Sequence, residues 1–293
     1  MLNRFREKTV GRKNVPLCDY TTFRIGGPAR YFFEPRTLRE LQSAFGVARE
    51  CQLPVYVLGA GSNLLIADEG VDGAVICMRR FERTYVRRFG NLVRVSAGVP
   101  LQRLLNHAAD WGLCGLEQLA GVPGTIGGAV RMNAGTPATC VGDHVSFLEI
   151  LRPHGGIERV YTSDVQWGYR STDLGEGIVA FAEMELRTAS AEMVKEKMRE
   201  ALERKRAAQP LSVPSAGCFF KNPNIAPAGK LVDQAGLKGL EQGGAAVSKK
   251  HANFIVNRGG ATARDVMSLV GVIRKAVREL SGVELESEVC LWP

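Results

Sequence analysis

The sequence predicts an α+β protein of two parts. Its strand-like apolar runs do not alternate strictly with helices, which disfavours a doubly wound parallel sheet. A charged helical stretch, "AEMVKEKMREALERKRAAQ", stops at Pro210 and reads as a connector between the parts. The 293 residues, 45% hydrophobic and 23% charged, suit one large or two modest globular domains with ample core.

The elements follow in chain order. "VYVLG" (55–59) and "AVICM" (74–78) are short apolar runs bounded by glycines and predict strands. "LVRVSAG" alternates and predicts another. After Pro100, "LQRLLNHAADWG" carries apolar residues at helical spacing and stops at Gly112. "VSFLEILRP" and "IVAFAEMEL" predict further strands. The last part mixes short strands ("GAAVS", "NFIVNR", "VELESEVCLW") with one clear helix. That helix starts at a capping box of Thr262 and Asp265, and Val266, Leu269, Val270, Ile273 and Val277 mark its buried face. On the final strand, Glu286 and Glu288 are expected on one face.

Composition limits the function classes. A net charge of +8 suits either nucleic acid or a pocket that concentrates anionic small molecules. The basic residues are dispersed, with no stripe of Lys and Arg interleaved with aromatics, so no nucleic-acid partner is expected. No apolar run approaches the roughly 20 residues that span a bilayer, and no membrane insertion is expected. The basic amino-terminal "MLNRFREKTVGRKN" has no apolar segment, so no secretory signal is expected there. The seven cysteines are scattered without a CxxC pair, and the four histidines do not cluster with them. Neither a disulfide scaffold nor a metal site is expected, and a reducing, cytoplasmic setting is.

Two glycine-rich loops stand out. "VLGAGSNLLIAD" sets Gly59, Gly61, Ser62 and Asn63 directly after a strand. It fails as a dinucleotide fingerprint, because Leu64 stands where a third glycine belongs and "LLIAD" is β-like. Two readings stay open: a plain hairpin turn, or a nest of backbone N–H groups that holds phosphate. "LEQLAGVPGTIGGAVRMNAG" holds Gly121, Gly124, Gly127, Gly128 and Gly135. So many missing side chains admit a close backbone approach, by another element or by a flat cofactor with a pyrophosphate.

Polar candidates are Tyr169 and Arg170 in "WGYRST", Cys218, Lys221 and Asn222 in "SAGCFFKNP", Lys230 and Gln234 in "AGKLVDQAGLKG", and Glu288. Arg170 is a fixed fork for carboxylate or phosphate, or else a surface ion-pair partner. Cys218 is either a small core residue or a reactive thiol beside an aromatic pair.

At these residues the chain closely resembles the UDP-N-acetylenolpyruvoylglucosamine reductase (MurB) family. Eight motifs carry the resemblance in order, among them "TTFRIGGPA", "LGAGSNLLIAD", "AGVPGTIGGAVRMNAG", "GYRST", "PSAGCFFKNP" and "LESEV". It implies a FAD-binding domain of the vanillyl-alcohol-oxidase (PCMH) type over residues 1–205 and a smaller α+β substrate-binding domain over 206–293. It also implies an NADPH-dependent flavoenzyme of peptidoglycan synthesis, working as a cytoplasmic monomer on the enolpyruvyl ether of UDP-N-acetylglucosamine. Non-covalent FAD is then expected at Gly59, Ala60, Gly61, Ser62, Asn63, Leu64, Gly124, Thr125, Gly127, Gly128, Asn133, Ala134 and Gly135. Substrate is expected at Tyr169, Lys221, Asn222, Lys230 and Gln234.

The resemblance gives Arg170, Cys218 and Glu288 catalytic roles. Hydride passes from NADPH to flavin and then to substrate C3, while Arg170 and Glu288 face the developing enolate. Cys218 gives C2 its proton, where most members have Ser; an ordinary thiol, with a pKa near about 8.5, is protonated at neutral pH. Only "STDLGEG" separates "GYR" from "IVAFAEMEL", so the chain resembles the shorter class without the inserted substrate loop. Two rivals remain: an O₂-dependent oxidase of the same flavin fold with covalently attached flavin, and a nucleic-acid binder.

Overall fold

The computed structural model describes residues 11–293. Most of the basic amino-terminal segment read above lies outside the described residues. Two compact units emerge. Unit 1 takes Tyr31–Ala60 and Asp72–Arg204, and unit 2 takes Asn14–Arg30, Gly61–Val71 and Lys205–Pro293. The boundary near 205 falls inside the charged helix Ala191–Ala208, and two short stretches from the first quarter of the chain join the second unit.

Unit 1 is built on a five-stranded antiparallel sheet. Its order is Ile157–Tyr161, Val145–Leu151, Ile178–Glu185, Leu92–Ser96 and Val86–Phe89. The helices Leu38–Glu50 and Leu101–Asp110 bury one stripe each, through Leu41, Ala44 and Phe45 in the first and Leu104, Leu105 and Ala108 in the second. Thr37 caps the first by accepting the Glu40 N–H. Val55–Leu58 runs parallel to Val71–Cys77, from Val55 opposite Ala74 to Leu58 opposite Cys77. This pairing delivers the chain to Gly59 and Ala60. The apolar sides of these elements fuse into one core.

Unit 2 has its own core and a four-stranded antiparallel sheet, ordered Ser215–Cys218, Phe254–Asn257, Ala245–Val247 and Glu241–Gln242. The helix Ala263–Ser281 buries Val266, Leu269, Val270, Ile273 and Val277. Its start is the reciprocal cap read from the sequence: Thr262 Oγ1 accepts the Asp265 N–H at 3.1 Å and Asp265 accepts the Thr262 N–H at 3.0 Å. The Thr262 backbone N–H, aided by the Thr262 side chain, holds the Asp265 carboxyl below its usual range. Asp68 adds two acceptors, for the N–H groups of Ala263 at 2.7 Å and Arg264 at 3.1 Å. Leu64–Ile66 pairs in parallel with Cys290–Trp292, which recruits the early segment into this unit.

The predicted carboxy-terminal strand is shorter than "VELESEVCLW" suggests. Only Cys290–Trp292 is a strand, with one isolated bridge at Ser287 to Phe220. Glu286 and Glu288 therefore do not share the face of a regular strand. Side-chain anchors replace the ladder here: Arg274 donates to the Leu285 carbonyl at 3.0 Å and to Ser287 Oγ at 2.9 Å.

Candidate functional site

In unit 1 the expected cofactor residues begin where Val55–Leu58 ends. The Ala60 carbonyl accepts from Arg79 at 2.7 Å, which fixes the turn. The second glycine-rich stretch is not all loop: Gly124 and Thr125 lead into the short helix Ile126–Arg131, which carries Gly127 and Gly128. Backbone bonds from Leu101 to Gly124, Ile126 to Val99 and Gly127 to Ala97, at 2.9 to 3.0 Å, hold it. Thr125, just before that helix, is 4% exposed, and its hydroxyl has no hydrogen-bond partner among the described residues. A Cβ on Gly59 would stand 2.6 Å from that hydroxyl, and one on Gly128 would stand 3.7 Å from it. A glycine after the strand Val55–Leu58 and one in the helix Ile126–Arg131 thus leave bare backbone near an orphaned buried donor. Such a group is costly unless something completes it. A flavin nucleotide, rich in acceptor oxygens, fits this donor set, with Gly59, Gly124, Thr125 and Gly128 able to hold it.

Asn133, Ala134 and Gly135 are placed differently. The Asn133 carboxamide is 6% exposed; it donates to the Gly168 carbonyl at 3.0 Å and accepts the Gly142 N–H at 2.9 Å. Ala134 accepts from the Val141 N–H and Gly135 pairs with Cys140. Of the three, Asn133 braces the hairpin that carries Arg170, through its bond to Gly168.

Arg170 sits at the second turn position of a two-residue hairpin, Gln166–Gly168 with Ser171–Asp173. Its φ is 55°. A left-handed residue with a Cβ costs roughly 1–2 kcal/mol, so the surrounding contacts must hold it there. They do: Asn133 holds Gly168, Thr172 Oγ1 donates to the Val130 carbonyl at 2.7 Å, and Arg131 donates to the Thr172 carbonyl at 3.2 Å. The guanidinium carbon stands 5.1 Å from the centroid of the exposed Tyr169 ring.

Unit 2 gathers the others. Gly61 has φ 67°, and a Cβ there would stand 2.1 Å from the Tyr20 carbonyl oxygen, so the chain itself already demands glycine. Ser62 follows in the turn, and Leu64 enters the short strand. Asn63 Nδ2 donates to the Glu288 carbonyl at 3.1 Å, while the Asn63 carbonyl accepts from Cys290 N–H at 3.0 Å. Glu288 N–H in turn donates to the Phe219 carbonyl at 2.8 Å. The Asn63 side chain and the Phe219 carbonyl, next to Cys218, thus both hold the Glu288 backbone, which brings three segments far apart in sequence together. Cys218 ends its strand opposite Phe254, just after a register shift at which Gly217 takes φ 83°. Cys218 and Glu288 are both half-buried.

The aromatic pair after Cys218 belongs to the core. Phe219 and Phe220 are each 1% exposed and meet edge to face at 5.3 Å. Lys221 pairs with Glu286 at 2.5 Å. Asn222 Oδ1 accepts the Ala228 N–H at 3.0 Å and so starts the helix Ala228–Gln234, on which Lys230 and Gln234 are exposed. Sequence reasoning missed Asn253, which pairs with the Phe220 backbone from a buried position. The signal in the sequence was a carboxamide directly before the apolar run "FIV".

Comparisons with known proteins identify the family. A family profile described as FAD binding domain matches residues 29–161, and one described as UDP-N-acetylenolpyruvoylglucosamine reductase, C-terminal domain, matches 209–292. A UDP-N-acetylenolpyruvoylglucosamine reductase of Moorella thermoacetica is 43% identical over 280 residues, covering 95% of this chain and 92% of its own. One from Symbiobacterium thermophilum is 44% identical over 284 residues, covering 96% and 92%. The crystal structure of the Thermus caldophilus enzyme of that name superposes with a TM-score of 0.84 at 40% identity, covering 97% of this chain and all of the other.

Proposed function

The chain belongs to the UDP-N-acetylenolpyruvoylglucosamine reductase family, and from that premise we propose that it reduces the enolpyruvyl ether of UDP-N-acetylglucosamine to UDP-N-acetylmuramate. It is a FAD-dependent oxidoreductase. The proposal adds NADPH as hydride donor, non-covalent flavin, a cytoplasmic monomer, and a division of labour in which residues 1–205 serve FAD and 206–293 serve the substrate. The observation that carries it is likeness over 95% of the chain to a reductase of that name, spanning both the FAD-binding and the C-terminal match.

FAD, when bound, supplies the relay that carries a hydride from NADPH to C3 of the enolpyruvyl group. The chain's residues manage the charge and the proton. As C3 gains hydride, negative charge develops on C2 and the adjacent carboxylate. A fixed cation and hydrogen-bond donors stabilise that charge best when they are already in place. Arg170 is the cation, pre-set by its braced turn. Glu288, protonated or through a water, is the second group. Cys218 then gives its proton to C2, which closes the addition of one hydride and one proton across the double bond. Lys221 and Lys230 bring positive charge to the diphosphate, with Tyr169, Asn222 Nδ2 and Gln234 as further contacts. The Gly59–Ala60 turn and the Gly124–Gly128 stretch, with Gly61–Leu64 and Asn133–Gly135, complete the FAD assignment.

The test is turnover in D₂O with NADPH and the enolpyruvyl ether. The expected product carries one deuterium, at C2, and the purified yellow protein releases its flavin on acid precipitation. Flavin retained in the pellet, with reoxidation by O₂ faster than by the ether, would favour the oxidase reading instead.

A further inference from the structure

We propose that Asn253 is a positioning residue for the protonation step, holding the backbone that presents Cys218. This rests on the reading of Cys218 as proton donor.

The observation is a side chain acting as a strand. Ser215–Cys218 pairs with Phe254–Asn257 and the ladder ends at Cys218 opposite Phe254. Beyond that point the Asn253 carbonyl accepts the Phe219 N–H at 2.7 Å. Its carboxamide then takes over: Oδ1 accepts the Phe220 N–H at 2.9 Å, and Nδ2 donates to the Phe220 carbonyl at 2.8 Å. Both ends of one amide engage both backbone groups of one residue. Asn253 is 2% exposed, and a buried carboxamide is tolerated only when so satisfied. From the other side, Glu288 donates to the Phe219 carbonyl and Lys221 to the Glu286 carbonyl. The three residues after Cys218 are thus gripped from two directions. One grip carries the expected carboxylate, and the other is Asn253.

A thiol delivers a proton efficiently only from a fixed place, and small displacements of a catalytic group cost on the order of 10²-fold. Asn253→Leu keeps the branched heavy-atom skeleton, with a somewhat larger volume, and loses both side-chain bonds. Phe219 and Phe220 stay buried, but the backbone after Cys218 gains freedom.

Rapid mixing of the holoenzyme separates the half-reactions. Asn253→Leu is expected to slow flavin reoxidation by the enolpyruvyl ether about 10- to 100-fold, with flavin content and reduction by NADPH unchanged. In a Cys218→Ala background the same substitution is expected to add nothing. Site-resolved alkylation of Cys218, read by mass spectrometry on protein stripped of flavin, should change rate in Asn253→Leu while the other thiols do not. Should Asn253→Leu not fold, Asn253→Asp, which keeps the acceptor and loses the donor, serves the same comparisons. Equal slowing of both half-reactions, a full additive effect in the Cys218→Ala background, or unchanged reoxidation would overturn the inference. If Cys218→Ala alone reoxidises at the wild-type rate, it is the proton-donor reading that fails, and the two failures are told apart.

Discussion

The backbone N–H of Glu288 donates to the Phe219 carbonyl at 2.8 Å, which ties the residue after Cys218 to the residue that bears the expected carboxylate. The bond is between main chains. Changing the Cys218 or Glu288 side chain therefore leaves the link intact, and the chemistry of each can be tested with little disturbance of the fold.

Cys218→Ser is expected to keep substantial activity, since an alcohol can also give a proton. Cys218→Ala is expected to be reduced by NADPH normally and to stall with the enolpyruvyl ether. A thiol reagent should inactivate the wild type, and substrate should protect it. Single-turnover reoxidation of Cys218→Ala at near wild-type rate would assign Cys218 to packing alone.

Arg170 occupies φ 55°, a conformation that favours glycine. Arg170→Gly is thus expected to be at least as stable as the wild type, while losing the cation. Removing a main transition-state donor costs on the order of 10²–10³ in rate. Reoxidation by substrate should fall by that factor, with flavin reduction nearly unchanged. A melting temperature that drops in step with the rate would point to a structural role.

Two loop substitutions should part company. Thr125→Val removes a buried hydroxyl that has no partner among the described residues, so the apoprotein is expected to be as stable or more so, and FAD occupancy to fall. Gly61→Val sets a Cβ against the Tyr20 carbonyl at φ 67° and is expected to destabilise by at least about 1–3 kcal/mol. Denaturant melts of the apoproteins, alongside flavin absorbance, check both. A stable Gly61→Val with full flavin would remove this loop from both roles.

His251 links pH to unit 2. Burial, aided by the charge of Lys238, holds its imidazolium pKa below the ordinary value, and its Nδ1 accepts the Asn253 N–H at 3.3 Å. The folded state resists a proton that the unfolded chain accepts. The stabilisation is complete above the unfolded pKa near about 6.5 and declines as pH falls below it. Thermal melts from about pH 7.5 to 5.5 should show the decline, and His251→Gln should flatten it. An unchanged slope would place the dependence on other groups.

The sequence by itself determined the elements whose signals are local. Val55–Leu58, Leu92–Ser96, Leu101–Asp110, Val145–Leu151 and Ile178–Glu185 lie where apolar period and glycine punctuation put them. The last helix begins at its capping box and buries the five residues its spacing marks, because a 3.6-residue period is written in the chain. Family motifs added the expected chemistry. What tertiary structure alone decided is pairing across long separations. No local pattern shows that Leu64–Ile66 lies beside Cys290–Trp292, or that Asn133 braces the turn of Arg170. The segment before Cys290 looks like a strand by composition, yet Arg274 and the Phe219 carbonyl hold it without a ladder. Asn253 is legible only as a polar residue in an apolar run. Its role exists because the fold brings the Phe220 backbone within hydrogen-bond reach, and a backbone partner 33 residues away leaves no trace in the identity of either residue.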